Sequence, residues 1–409
     1  MSARIDPVPG APPIVEPAPV ELSLPADPTR ELGGIGSAIA LSLTIFVEAL
    51  GYGVVAPTLP FLARQAGAGE GRIGLLVGIY AAVGLLVVIP LGILANRFGR
   101  RILVQLGLAC LTVASIGFVF APDYPSLVAA RFAQGLGASA IWVGGLTMAA
   151  DLSPNNSMGR SMAWISGAWS LGFVLGPALG GIGSVRTPFV IYAVLSGAAL
   201  LASLLFLPET GRPHTRTTLQ GILRVLRRPA VLASGVATFA LAFYYGIVEG
   251  FMPLLADDLH VDRVGIGLLF ALAGLPSIVL PRVSGWLADR FGDARLVVIG
   301  LAYTAVVSAA ILPLARGAPL WIVFVLVGMA EILVYVPAVA LLNRGMSRDD
   351  RIFATGSHNY AFSAGFFLGP ALGGWFFPIG GYAGLFTLLT ISSVAGVVGV
   401  VGLRGRIPR

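Results

Sequence analysis

The chain has 409 residues, of which 56% are hydrophobic and only 11% charged, and its mean hydropathy is +0.89. This balance excludes a water-soluble globule, where about a quarter of residues are charged, and leaves a lipid bilayer as the solvent. The net charge of +7 comes from arginines spread over short loops, which marks no nucleic-acid-binding face, and the single cysteine, Cys110, allows no intrachain disulfide.

Residues 1–34 carry eight prolines interspersed with acids and read as a disordered cytoplasmic tail. No basic segment runs directly into an apolar core there, so the tail is not read as a secretory signal. Twelve apolar runs follow, at 36–63, 72–95, 102–121, 125–150, 161–183, 188–207, 230–255, 264–287, 296–315, 319–343, 352–376 and 383–403. Lipid offers no partner to an unpaired backbone group, so runs of this length are predicted to be helices. The domains expected are the tail (1–34), a first six-helix half (35–207), a central cytoplasmic loop (208–229), a second six-helix half (230–403) and a short cytoplasmic end (404–409). Loops on the side of the termini hold nineteen arginines against five on the other side. The positive-inside bias therefore predicts a multi-pass protein of the inner (plasma) membrane with both termini in the cytoplasm.

The chain also repeats itself. GFVLGPALGG at Gly172–Gly181 returns as GFFLGPALGG at Gly365–Gly374, an offset of 193 residues. At the same offset Tyr52-Gly53 matches Tyr245-Gly246, Pro60 matches Pro253, and Arg97-Phe98-Gly99 matches Arg290-Phe291-Gly292. Six spans separate equivalent residues, so the two halves keep one orientation. This is a parallel repeat.

Several motifs carry a family resemblance. GILANRFGRR (Gly92–Arg101) resembles the loop between spans two and three of the major facilitator superfamily, and RFAQGLGA (Arg131–Ala138) its span-four motif. Gly172, Gly176, Pro177, Gly180 and Gly181 match the span-five motif of exporters, and LGYGVVAPTLP (Leu50–Pro60) resembles the first span of twelve-span drug:proton antiporters. ADLSPNNSMGR (Ala150–Arg160) is similar to the span four–five junction of the tetracycline-efflux type. The resemblance implies an all-α membrane fold of twelve helices in two homologous halves. It implies a monomeric secondary transporter that moves drug-like small molecules outward against protons by alternating access, with the proton gradient as energy source and no cofactor. The same fold also serves uptake carriers for sugars and other metabolites, and a non-transporting sensor is a more remote reading. Where the family's loop motif has Asp, this chain has Asn96, while the second half keeps Asp289. Gly92, Asn96, Arg97, Gly99, Arg101, Asp151, Arg160, Gly285, Asp289 and Arg290 are the expected conformational-switch residues, with Arg97, Arg101, Asp151 and Arg160 as a possible cluster.

Ionisable residues inside spans are few and costly, which makes them site candidates. By helical rise, Glu48 and Glu331 lie about 18 Å into their spans, near the bilayer centre. Glu249 lies further toward the outside, as an outer-cavity or interface residue. Glu48 is expected to be the main proton and substrate carboxylate, tuned by Arg131; the alternative is a structural ion pair between them. Glu331 is a second cavity carboxylate or a pairing residue. Trp142 and Tyr335 occupy equivalent positions in the two halves and are the candidate aromatic lining. His358 is expected at the membrane interface. No nucleotide-binding loop, metal set or nucleophile constellation appears, so an enzyme is not expected.

Overall fold

The computed structural model describes residues 35–152, 158–210, 224–317, 319–343, 346 and 348–407. The expected disordered tail and the central-loop residues 211–223 lie outside these. Among the described residues every regular element is a helix. The first half comprises α1 (Ile35–Gln65), α2 (Glu70–Phe98), α3 (Arg100–Phe120), α4 (Tyr124–Leu152), α5 (Met158–Gly180) and α6 (Thr187–Phe206). The second comprises α7 (Pro229–Asp258), α8 (Arg263–Val279), α9 (Pro281–Phe291), α10 (Asp293–Gly317), α11 (Leu320–Asn343) and the run Arg348–Arg404. That run breaks at Gly381, where φ is 54° and ψ −152°, into α12 (348–380) and α13 (382–404).

Among the described residues, 8 helices can cross a membrane by length and composition, or 9 if the bent pair α8–α9 is one span. With the Arg348–Arg404 run divided at Gly381, and with α4 and α5 also long enough, the arrangement is consistent with twelve spans. Two boundaries differ from expectation. Span eight is bent by 51° at Leu280, because Pro281 supplies no amide for the ladder and instead starts a new helix at its first turn. Span five stops at Gly180, at the paired glycines Gly180-Gly181, rather than at residue 183.

Each half packs its own way inward, and the repeated ten-residue stretch does the same work twice. On α5, a Cβ at Gly172 would meet the α1 backbone at Phe46 and Leu50, and one at Gly180 would press Pro57. On α12, a Cβ at Gly365 would meet the α7 backbone at Phe239 and Phe243. Pro177 lies against Gly53, and Pro370 against Gly246. Glycine thus lets the helix backbones approach to contact, as small residues do between membrane helices.

The halves meet on the side away from the termini, along two equivalent seams. A Cβ on Gly267 of α8 would meet Gly181 N at 3.0 Å and the Pro177 carbonyl; one on Gly74 of α2 would meet Gly374 Cα at 3.2 Å and the Pro370 carbonyl. These residues correspond pairwise at the 193-residue offset. On the same side, Arg64 at the end of α1 faces Asp257 (3.7 Å) and Asp258 (4.0 Å) at the end of α7. Arg263 donates to the carbonyls of Gly183 (3.0 Å) and Gly180 (3.1 Å). Among the described residues, the polar contacts across the halves lie at the centre or on this far side. Toward the termini, a Cβ on Gly92 or Gly285 would meet nothing within 4 Å. Among the described residues, the contacts between the halves concentrate at the far face.

Candidate functional site

The acids in the middle of the spans form two separate groups. The first lies inside the first half. Glu48 on α1 is buried and accepts a hydrogen bond from the Tyr80 hydroxyl on α2 at 3.1 Å, with the Trp142 side chain as a further donor. Its second oxygen, Oε2, is buried without a partner. Arg131 on α4 is fully buried; it donates to Gln134 Oε1 at 2.8 Å and to the Val77 carbonyl at 3.1 Å. Gln134 passes the connection on to the Gly51 carbonyl at 3.3 Å. The Arg131 guanidinium sits 4.9 Å above the Tyr80 ring. The expected Glu48–Arg131 pair is therefore not a direct one. Tyr80 stands between them, offering its hydroxyl to the acid and its ring face to the cation.

The second group lies between the halves. A cavity of about 40 Å³ is bounded by α1, α5, α7, α8 and α11, and both Glu249 and Glu331 line it. Such a volume holds a few waters. Tyr52 of the first half donates to Glu249 of the second at 2.5 Å, while Tyr245 donates to Glu331 at 3.4 Å. Glu249, expected in the outer cavity or at an interface, is buried and lines this cavity between the halves. Phe173, Phe270 and Phe324 supply the apolar wall. Burying several carboxylates among aromatics is unfavourable unless each is hydrogen-bonded or neutralised, so the site favours proton uptake or a cationic guest.

Sequence reasoning did not mark Tyr52, and it weighed Tyr245 only as one of several aromatics that could line a cavity before settling on Trp142 and Tyr335. Tyr52 and Tyr245 are repeat equivalents, each followed by the glycine on which Pro177 or Pro370 lies. That coincidence of repeat and donor was the available signal. Trp142 and Tyr335 lie outside the central cavity and are part-exposed, at 37% and 36%. Trp142 meets Trp169 edge-on, Trp169 stacks on Phe173 at 5.0 Å, and Phe173 stacks on Tyr52 at 6.0 Å. A continuous aromatic row thus links the Glu48 group to the cavity. Tyr335 meets His358 edge-on at 5.4 Å. His358 is buried, with Ser234, Thr238 and Tyr335 around its ring.

At the terminus face, the expected cluster is rearranged. Asp151 pairs with Arg100, not with Arg97 or Arg101, and Arg100 also donates to the Thr147 carbonyl at 3.1 Å. The Arg100 amide donates to Glu209 Oε1 at 3.0 Å, which caps the start of α3. Arg101 donates to the Leu204 carbonyl at 2.7 Å, and Arg97 lies 5.3 Å over Phe98. In the second half Arg290 stacks on Trp286 and Phe291, and Asp289 is exposed. Gly99 (φ 97°) and Gly292 (φ 85°) turn the chain through a conformation that side chains avoid, which accounts for glycine at both positions of the loop motif. The side chains of Asn96 and Arg160 lie outside the described residues. Among the described residues no group of three or more His, Cys, Asp or Glu has metal-binding geometry.

Comparison with known proteins agrees with this architecture. Solved structures share it at low identity. A bacterial homolog of the human lysosomal transporter Spinster, in an inward-facing and unoccupied conformation, superposes with a TM-score of 0.73 at 16% identity, covering 94% of this chain and 97% of that one. A POT family transporter in complex with a thioalcohol-conjugated peptide gives 0.76 at 13% identity, covering 91% and 96%. Among curated relatives, Multidrug resistance protein 1 of Bacillus subtilis is 24% identical over 356 residues, covering 83% of this chain and 89% of its own. The class G tetracycline resistance protein of Vibrio anguillarum is 29% identical over 282 residues, covering 65% and 71%. The quinolone resistance protein NorA of Staphylococcus aureus is 24% identical over 362 residues, covering 83% and 89%. The model of the Major Facilitator Superfamily matches residues 41–254 and 234–409. With two equivalent helix bundles, buried acids at their junction and a family model that spans nearly all of it, the chain is a membrane transporter, not an enzyme, and belongs to the Major Facilitator Superfamily.

Proposed function

We propose that this transporter exports drug-like, amphipathic small molecules in exchange for protons. The observation that carries the reading is the shared cavity of Glu249 and Glu331, a buried and a half-buried carboxylate between the halves, each accepting a hydrogen bond from a tyrosine hydroxyl. A buried carboxyl that alternates between a proton and a cationic guest couples their movements in opposite directions. The relatives named for multidrug, tetracycline and quinolone resistance support this substrate class. The arginine bias supports an inner-membrane protein with its terminus face toward the cytoplasm. Substrate then enters from the cytoplasmic side. The halves 35–207 and 230–403 rock as units within one monomeric chain, and the proton gradient is the only energy source required.

Reconstituted vesicles with an imposed pH gradient test this. Vesicles acidic inside are expected to accumulate ethidium, tetracycline or a quinolone, and vesicles alkaline inside are not. Accumulation that follows proton flow in the same direction would overturn antiport.

A further inference from the structure

Span eight ends in a short helix that its counterpart in the first half does not form. α9 turns away from α8 by 51° at Pro281, whereas α2 runs unbroken from Glu70 to Phe98. Arg282, Trp286 and Arg290 are all exposed and follow one another at four-residue steps, so they form one stripe on the outer face of α9. The Arg290 guanidinium lies 5.4 Å over the Trp286 ring, which leaves its N–H fork open to an acceptor. Among the described residues, neither Arg282 nor Arg290 has an acid within ion-pair distance. Asp289 lies at the edge of the stripe, which keeps a net positive charge. At the 193-residue offset, Arg282 and Trp286 correspond to Ile89 and Ile93 of α2, both exposed. The positions that offer hydrocarbon to the bilayer in one half thus carry a cation and an indole in the other. The opposite face of α9 is fastened to its own half: Ser284 is buried and donates to the Ile332 carbonyl of α11 at 2.7 Å. That bond holds the stripe outward.

We infer that the α9 stripe binds the headgroup of an anionic phospholipid in the leaflet at the terminus face. An amphipathic helix that shows arginines and a tryptophan on its outer side suits the boundary between headgroups and acyl chains. Charge selects the lipid. Two guanidinium groups with no protein acid opposite them attract a phosphodiester, and the planar fork of each matches its oxygens. A zwitterionic headgroup brings its own cation and loses most of that attraction. Trp286 and the exposed Val283 add apolar contact for the upper part of the acyl chains, which a free phosphate ion does not have.

The test uses the full chain in detergent, stripped of lipid and titrated with phosphatidylglycerol or phosphatidylcholine, with the first bound lipid followed by native mass spectrometry. One basic residue beside an anionic lipid is worth about fivefold in affinity, so the parent protein is expected to prefer phosphatidylglycerol by about 25-fold. Arg282→Gln is expected to weaken that lipid about fivefold, and Arg282→Lys to stay within about twofold of the parent. The double variant Arg282→Gln/Arg290→Gln is expected to bind both lipids alike. Arg316→Gln removes the same charge at the far face and is expected to change binding less than about twofold. Size-exclusion profiles confirm that each variant is folded, as exposed side chains allow. Equal affinity of the parent for both lipids overturns the inference. An Arg316→Gln loss as large as that of Arg282→Gln marks diffuse attraction to net charge and also overturns it. Full lipid binding by Arg282→Gln means that the stripe serves another partner, such as the first half when the terminus face closes, and overturns it too. Displacement of the lipid by an equal concentration of inorganic phosphate overturns the lipid as occupant.

Discussion

At the scale of single residues, the chemistry is carried by acid–tyrosine pairs. Tyr52 reaches across the junction to Glu249 at 2.5 Å, whereas Tyr245 reaches Glu331 within its own half at the longer 3.4 Å. Removing a donor from a buried acid costs about 1–3 kcal/mol. Tyr52→Phe is therefore expected to slow gradient-driven efflux by roughly tenfold or more, and Tyr245→Phe less, measured as initial rates in everted vesicles at matched expression. The acids were legible in the sequence because a charge inside an apolar run is conspicuous. The tyrosines were not, since an aromatic residue in a membrane span is ordinary, and only the repeat marked them. The pairing of Asp151 with Arg100, rather than with its neighbours Arg97 and Arg101, depends on the phase of α3 after the turn at Gly99, which no spacing rule fixes.

At the scale of elements, the two copies of the glycine–proline stretch do equivalent work. A side chain at Gly176 would enter the Leu50 carbonyl and Gly53, and one at Gly369 would enter the Phe243 carbonyl. Gly176→Val and Gly369→Val are both expected to reduce the yield of monodisperse protein on size exclusion, to a similar degree. A loss confined to Gly176 would restore an exporter-specific role to the first copy. Glu209 fastens the segment after α6 to the first turn of α3. Because the carboxylate is exposed, Glu209→Ala is expected to lower stability by only about 0.5–1 kcal/mol, read as a small fall in melting temperature in detergent. Asp123, ahead of α4, is held below the usual carboxylate range by the side chain and amide of Ser126. A carboxyl with a depressed folded-state pKa adds stability above its unfolded value, and that contribution fades as pH falls through the folded one. Helix number and ends were largely legible, since each apolar run had to be a helix. The bend between α8 and α9 was not, because proline is tolerated within membrane helices and a break there depends on its neighbours.

At the scale of the whole molecule, the far face is closed by two glycine seams and one charged contact on the repeat axis. Arg64 and Asp257 are equivalent positions in the two halves, so the pseudo-symmetry that brings them together would juxtapose like charges had the repeat been kept there. Arg64→Asp is expected to shift the population toward a far-side opening, seen as longer distances between spin labels placed at the ends of α1 and α7. Adding Asp257→Arg is expected to bring the distances back. Because the pair is partly exposed, its effect should weaken as salt is raised.

The central cavity has a consequence for kinetics. At about 40 Å³ it admits water and a proton but excludes a drug, while the aromatic side chains Trp142 and Tyr335 are part-exposed outside it. The carboxylates must therefore give up the proton before the cavity widens to take the guest. Acidification on the loading side should then raise the apparent KM for the drug more than it changes the maximal velocity, and plots of rate against drug concentration at different pH should converge at saturation.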